Sequence, residues 1–118
     1  MCEHLLGKKY VYRTNQDTVD CISLVVQALD SMGINNPGVI PEWYEMSPLQ
    51  VCRELGKYTE RLSSPLYDGD IVLLSGDPIA FGVQWQQGIL YINREGMAVD
   101  WKPAHALSIL RSYRMKGI

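Results

Sequence analysis

The sequence has little of what marks several large protein classes. Its formal net charge is −2, from 11 basic and 13 acidic residues, so it lacks the basic excess typical of nucleic-acid-binding proteins. Its uninterrupted apolar stretches are only a few residues long, as in "IVLL" at 71–74, which is too short for a membrane-spanning helix. Its start, "MCEHLLGKKY", has no signal-peptide pattern. We therefore expect neither nucleic-acid binding nor membrane insertion.

Cysteine and histidine are too few and too scattered to predict a metal site. The 3 cysteines stand at positions 2, 21 and 52 without a CxxC pair, and there are only 2 histidines. An odd number of cysteines is typical of free thiols in a reducing compartment, so we expect synthesis in a cytoplasm. Of the three, Cys52 is predicted in the core and Cys2 is expected to be a mobile terminal residue. We expect no metal and no other cofactor.

The first half of the chain predicts two helices. Asp20 is suited to cap a helix that starts at Cys21 and ends at Gly33. One face of that helix is apolar at helical spacing: Ile22, Val25, Val26, Leu29 and Met32. A second helix is predicted from the Ser47–Pro48 start signal, with Leu49, Cys52, Leu55 and Leu62 on its apolar side.

The second half changes to short β-rich segments separated by turns. Strands are predicted at 71–75, 79–85, 89–93 and 97–101, and in "LSILRSYR" at 107–114. Asp68 and Asp70 in "DGD" fit a turn before a strand better than a metal or acid–base site. Helices followed by an antiparallel meander predict one α+β domain over residues 1–118.

The order of these motifs resembles the NlpC-type, papain-like cysteine peptidases. That family typically reads Gly-x-Pro-Tyr-x-Trp-Gly-Gly, then Asp-Cys-Ser-Gly-Leu-Val, then a helix that ends in Gly-Ile. The segment "GKKYVYRTNQDTVDCISLVVQALDSMGI" at 7–34 falls on this pattern in register, and "YDGDIVLLS", "FGVQW" and "SILRSYR" resemble the later strands. The resemblance implies helices packed on a small antiparallel sheet or half-barrel. Tail-associated proteins of bacteriophages often carry the compact form of this domain.

The resemblance implies a site around Cys21. Cys21 matches the catalytic nucleophile, while Tyr10, Tyr12 and Asp20 match residues that line the substrate cleft. A helix N-terminus favours the thiolate, but a buried, inert cysteine is the alternative for a residue of this type.

The same comparison finds no matching base. Setting "FGV" at 81–83 against the family's "HVGI" strand puts Ala80 at the histidine position, and no histidine stands near 91–93, where the third polar residue falls. Pro and Gly-Gly of the first motif are replaced by Lys9 and Arg13–Thr14. His4 and His105 are the remaining candidate bases, although neither lies at the family position.

Two functions follow from this pattern. The one we favour is a structural component of a phage tail or baseplate with a degenerate site, made in the host cytoplasm and carried in the virion tail, with other tail subunits as partners. The alternative is an active endopeptidase that cleaves peptidoglycan stem peptides through Cys21. A cytoplasmic amide-processing enzyme of the same fold is a third. Aromatic residues of the irregular segment 34–48 either pin it to the domain or form a protein interface. "VQWQQG" at 83–88 is a candidate cleft rim.

Overall fold

The β-rich second half folds into an antiparallel sheet. The computed structural model describes residues 2–10, 18–19, 21–36, 38–40, 42–43, 46–65, 67–76 and 79–116, with backbone alone at 10, 18, 19 and 48. Five strands match the predicted ones: β4 (Ile71–Leu74), β5 (Ala80–Trp85), β6 (Gly88–Asn93), β7 (Ala98–Pro103) and β8 (Ile109–Met115). Strands β4 to β7 form a meander, and β8 pairs with β4 on the far side from β5. The α+β class and the antiparallel meander are confirmed.

Three short strands extend this sheet and were not predicted. They are β1 (Lys9–Tyr10), β2 (Thr18–Val19) and β3 (Thr59–Leu62). The sheet order is β2-β1-β7-β6-β5-β4-β8-β3, and among these described strands only the β1–β2 pair is parallel. The prediction of helix through Leu62 is therefore wrong, because β8 offers hydrogen-bond partners to residues 59–62 and draws them into the sheet.

Helix α1 (Cys21–Ser31) begins at the predicted residue. Ile22, Val25 and Leu29 are buried as expected. Leu24 and Ala28 lie outside the predicted apolar face and are also fully buried. Gly33, two residues beyond Ser31, terminates the helix as predicted, and its φ of +68° is the left-handed conformation that glycine adopts without strain. The buried face is wider than the predicted stripe because both the sheet and the N-terminal segment cover α1.

Helix α2 (Pro48–Tyr58) begins with a capping box at Ser47. The Ser47 Oγ accepts a hydrogen bond from the Gln50 N–H at 3.2 Å, and the Gln50 Oε1 accepts one from the Ser47 N–H at 3.0 Å. Val51 and Leu55 face the core. Leu49 was predicted on the same face but is 67% exposed. It precedes the buried Val51 by two positions, and two positions correspond to a rotation of about 200° around a helix, so Leu49 lies on the opposite face.

The sheet separates two apolar clusters by the alternation of its side chains. The helix side carries the larger cluster, which includes Ile71, Leu73, Phe81, Val83 and Leu90 together with α1 and α2 residues. The opposite side carries a smaller cluster of Val72, Leu74, Ile89 and Tyr91, covered by Ala104, Leu107 and Ile109. The segment between β7 and β8 is therefore on the opposite side of the sheet from α1.

Candidate functional site

Cys21 is the first residue of α1 and packs against the larger apolar cluster. It is half-buried and in no disulfide bond. The dipole of a helix start favours a thiolate at this position. Of the other predicted site residues, Tyr12 and Asp20 lie outside the described residues. The backbone of Tyr10 pairs with Val19, two residues before Cys21, while the Tyr10 side chain is not described.

His4 lies at the opposite end of α1 from Cys21. Its Nε2 is 3.3 Å from the Oγ of Ser31, the last residue of the helix. Cys21 and Ser31 are separated by about 15 Å along the axis, at 1.5 Å per residue. Proton transfer between the two side chains requires hydrogen-bond contact, directly or through one water, so His4 is a wrong candidate for the base of Cys21.

His105 belongs to the cover of the opposite side of the sheet. It is an exposed residue of the single 3-10 turn Ala104–Ala106, which joins β7 to β8. The neighbouring Ala104 and Leu107 pack on the smaller cluster, so the turn is separated from α1 by the sheet itself. His105 is therefore also a wrong candidate, since the sheet blocks the path from its imidazole to Cys21.

Residue 80, which the resemblance places at the family's histidine position, faces away from α1. Ala80 lines a recess with Tyr91 and Leu107 on the smaller-cluster side, and a Cβ built on Gly82 would meet Ile89 and Tyr91 on that same side. Phe81, which alternates with them, packs in the cluster of α1. A histidine at residue 80 would therefore not point to Cys21, and the α1-facing position beside it holds a phenylalanine.

The arrangement leaves Cys21 without an imidazole of its own chain. Both histidines of the sequence are among the described residues, and neither approaches the start of α1. Acyl transfer by a cysteine needs a base to deprotonate the thiol and an acid to protonate the leaving amine. The helix start supplies electrostatic help for the first step only.

The "DGD" turn is structural, as expected. Asp70 is 1% exposed and accepts two hydrogen bonds from Arg114, while its Oδ2 also accepts the Tyr67 N–H. Asp68 Oδ1 accepts the Gln86 N–H at 3.0 Å and so fixes the β5–β6 turn. Gly69 between them has a φ of +95°. Within the described residues no group of three histidine, cysteine or carboxylate side chains could hold a metal ion.

The irregular segment 34–48 contributes to the core. Trp43 is 8% exposed and packs in the larger cluster, and its ring centroid is 6.3 Å from that of Tyr58. This supports the interpretation that the segment is pinned to its own domain, although Tyr44 lies outside the described residues. In "VQWQQG", Trp85 is buried and only Gln86 and Gln87 are exposed.

The two other cysteines differ from each other. Cys52 is half-buried on the core side of α2, in agreement with the prediction. The expectation of a mobile Cys2 is wrong, because its side chain is fully buried with Leu5 in the larger cluster and its Sγ is 3.9 Å from the carbonyl oxygen of Ala28. Burial raises the pKa of the Cys2 thiol.

Comparisons with protein-family models, with curated proteins and with solved structures found no match. The NlpC-type resemblance therefore stays a prediction that rests on the motifs quoted above. In the part of the chain that the structure describes, no helix is long and apolar enough to cross a membrane.

Proposed function

We propose that the chain is an NlpC-type, papain-like domain without peptidase activity, used as a structural component of a phage tail or baseplate. The observation that carries this proposal is the position of the two histidines. One contacts Ser31 at the far end of α1, and the other stands on the turn that covers the opposite side of the sheet. Neither can form an ion pair with Cys21 within one chain.

Support for the fold comes from the order of the elements and from the placement of Cys21. A helix that begins at a cysteine packs on an antiparallel sheet, and the motifs resembling the family's strands fall on β4, β5 and β8. A fold by itself does not fix an activity, so the assignment to a phage particle rests on the resemblance to compact tail-associated domains.

An active endopeptidase is the second candidate, and one observation favours it. Cys21 is only half-buried, is in no disulfide and occupies the helix start that favours a thiolate. Activity would then need a base from a second copy of the chain. This candidate predicts an activity that rises with protein concentration as the copies associate.

Peptidoglycan digestion tests the two candidates directly. Purified sacculi are incubated with the wild type, with Cys21→Ala and with Cys52→Ala, which removes another half-buried free thiol. Released peptides are measured by mass spectrometry. We expect no stem-peptide cleavage by any of the three proteins. Cleavage by the wild type and by Cys52→Ala, but not by Cys21→Ala, would establish the endopeptidase.

The structural role needs a positive test of its own. Phage particles are purified from a lysed culture of cells that carry the gene, and their proteins are identified by mass spectrometry. We expect the chain in the particle fraction at a constant ratio to tail proteins. Its presence in the soluble fraction alone would contradict a virion component.

A further inference from the structure

Two surface recesses share Ile34 in their lining, just beyond the end of α1. The first has a volume of about 400 Å³ and is lined by Val26, Gln27, Asp30, Asn35 and Asn36 together with Ile34. The second has a volume of about 240 Å³ and is lined by Met32, Asp68, Trp85 and Gln86 together with Ile34. We call the two recesses together the Ile34 groove. It lies at the end of α1 opposite to Cys21, so it is separate from the candidate catalytic position.

The groove combines an apolar floor with a negative, amide-rich rim. Its apolar part includes Met32, Ile34 and Trp85, which all belong to or pack against the larger cluster. Its rim carries the exposed carboxylates Asp30 and Asp68. No lysine, arginine or histidine is among the described residues that line either recess. The groove is therefore complementary to a ligand that is both cationic and partly aliphatic.

The amide side chains of the groove indicate which hydrogen-bonding groups that ligand carries. Gln27, Asn35 and Gln86 each carry an amide donor and an amide acceptor, which is what an extended polypeptide backbone requires, whereas the Asn36 amide is already bonded to the backbone of Val39. Lysine and arginine have aliphatic stems that pack on apolar surface while their charged ends reach a carboxylate. A small cation alone would leave the apolar floor uncovered.

The second recess is held in place by the backbone around it. The β5–β6 turn has Gln86 at φ 51° and Gln87 at φ 65°, an uncommon conformation for residues other than glycine. The bond from the Gln86 N–H to Asp68 Oδ1 ties this turn to the "DGD" turn. A carboxylate has about four acceptor positions, so Asp68 keeps others for a ligand. A site held by its own hydrogen bonds loses little entropy when a ligand binds.

From this arrangement we propose that the Ile34 groove binds a basic, extended segment of a partner protein, with a lysine or arginine of that segment paired to Asp68 or Asp30. The proposal extends the structural role proposed above by naming the chemistry of the partner. It does not require an inactive Cys21, so peptidase activity and peptide binding are measured independently.

The test uses a fluorescein-labelled peptide that repeats serine, lysine and leucine, and a matched peptide with glutamate in place of lysine. Fluorescence anisotropy gives the dissociation constants, and backbone amide NMR shifts give the location. We expect binding of the basic peptide only, with shifts at Ile34 and Gln86. Binding of both peptides alike, or shifts elsewhere, would overturn the proposal.

Substitutions then test the carboxylates. Asp68→Asn removes the charge but keeps an oxygen that accepts the Gln86 N–H, and Asp30→Asn removes the second charge. Each variant is expected to weaken binding by about two- to five-fold, as for an exposed ion pair. Glu95→Gln, on the β6–β7 turn, is the matched control and should bind like the wild type. Unchanged binding by both aspartate variants would contradict the assigned ion pairs.

Two competing occupants are separated by further measurements. Spermidine has cationic groups but no peptide backbone. If it displaces the peptide at equal charge concentration, the groove binds cations in general, and the proposal is overturned. Sedimentation of the protein alone tests for a second copy. If the protein self-associates and Asp68→Asn abolishes the association, the occupant of the groove is a second copy of the chain. That result would also contradict the proposal.

Discussion

Arg114 and Asp70 form a two-point ion pair that joins β8 to the turn before β4. The Nε of Arg114 is 3.0 Å from Oδ1 and its Nη2 is 2.9 Å from Oδ2. The guanidinium also lies over the Tyr67 ring, 4.5 Å from its centroid. Asp70 raises the pKa of the Arg114 guanidinium by accepting its hydrogen bonds, which keeps the guanidinium charged.

Asp70→Asn is expected to lower the free energy of unfolding by about 2–3 kcal/mol. The variant removes the charge that Arg114 needs while it keeps the size of the side chain. Asp68→Asn, in the same turn, is the control, and we expect a change within about 0.5 kcal/mol because Asp68 is exposed and its replacement still accepts the Gln86 N–H. Urea denaturation measures both, and equal losses would contradict a special role for Asp70.

Tyr113→Phe is expected to stabilise the protein by about 1 kcal/mol. The Tyr113 hydroxyl is buried and has no hydrogen-bond partner of acceptable geometry among the described residues, although Cys52 and Arg111 lie nearby. Removal of an unsatisfied polar atom from the core therefore costs no hydrogen bond. Tyr67→Phe, at a tyrosine that is 61% exposed, should leave the stability unchanged.

Tyr113 also makes the free energy of unfolding depend on pH. Burial raises the pKa of Tyr113 above its ordinary value, with Arg111 acting in the opposite direction. The unfolded chain therefore loses the phenolic proton first, and this contribution to stability is present below about pH 10 and is lost as the pH rises through the folded-state pKa. The advantage of Tyr113→Phe over the wild type should grow between about pH 9 and about pH 11. A constant difference would show that the phenol titrates normally.

The three cysteines should differ in their rate of alkylation. Cys2 is fully buried and burial raises its pKa, whereas Cys21 and Cys52 are half-buried. Iodoacetamide at about pH 8 is expected to label Cys21 and Cys52 in the native protein, and Cys2 only after unfolding in urea. Peptide mapping by mass spectrometry gives the order. Early labelling of Cys2 would show that the N-terminal segment leaves the core in solution.

Gln87→Gly is expected to raise the free energy of unfolding by about 0.5–1 kcal/mol. Gln87 adopts a φ of 65° in the two-residue turn between β5 and β6, where glycine is unstrained. Glu95→Gly is the control, because Glu95 does not have a positive φ and glycine there only adds flexibility to the unfolded chain. Thermal unfolding should move upward for the first variant and downward for the second.

The sequence predicted the parts of the fold whose signals are local. Apolar spacing located α1, and the Ser47–Pro48 signal located the start of α2. Strand β3 has no comparable signal, because Glu60 and Arg61 are equally suited to a helix and become a strand only beside β8.

The candidate site was harder to predict for the same reason. The distances of His4 and His105 from Cys21 depend on which end of α1 and which side of the sheet each residue occupies. The Ile34 groove joins positions 26–36 to 68 and 85–86, which are distant in the sequence. The sequence predicts Asp68 in a turn and places Trp85 and Gln86 in "VQWQQG", but no local signal brings these residues together with Ile34.

The position of β8 between β4 and β3 determines when this protein can fold on the ribosome. Residues 59–62 find their only described strand partner in residues 112–115, at least fifty positions later in the chain. Until synthesis has passed Met115, strand β4 of the meander has no partner on the side that β8 will occupy. The segment that will become β3 likewise has no neighbouring strand to pair with. The sheet is therefore completed only after β8 has left the exit tunnel, and release of the chain before Met115 should produce an aggregating fragment.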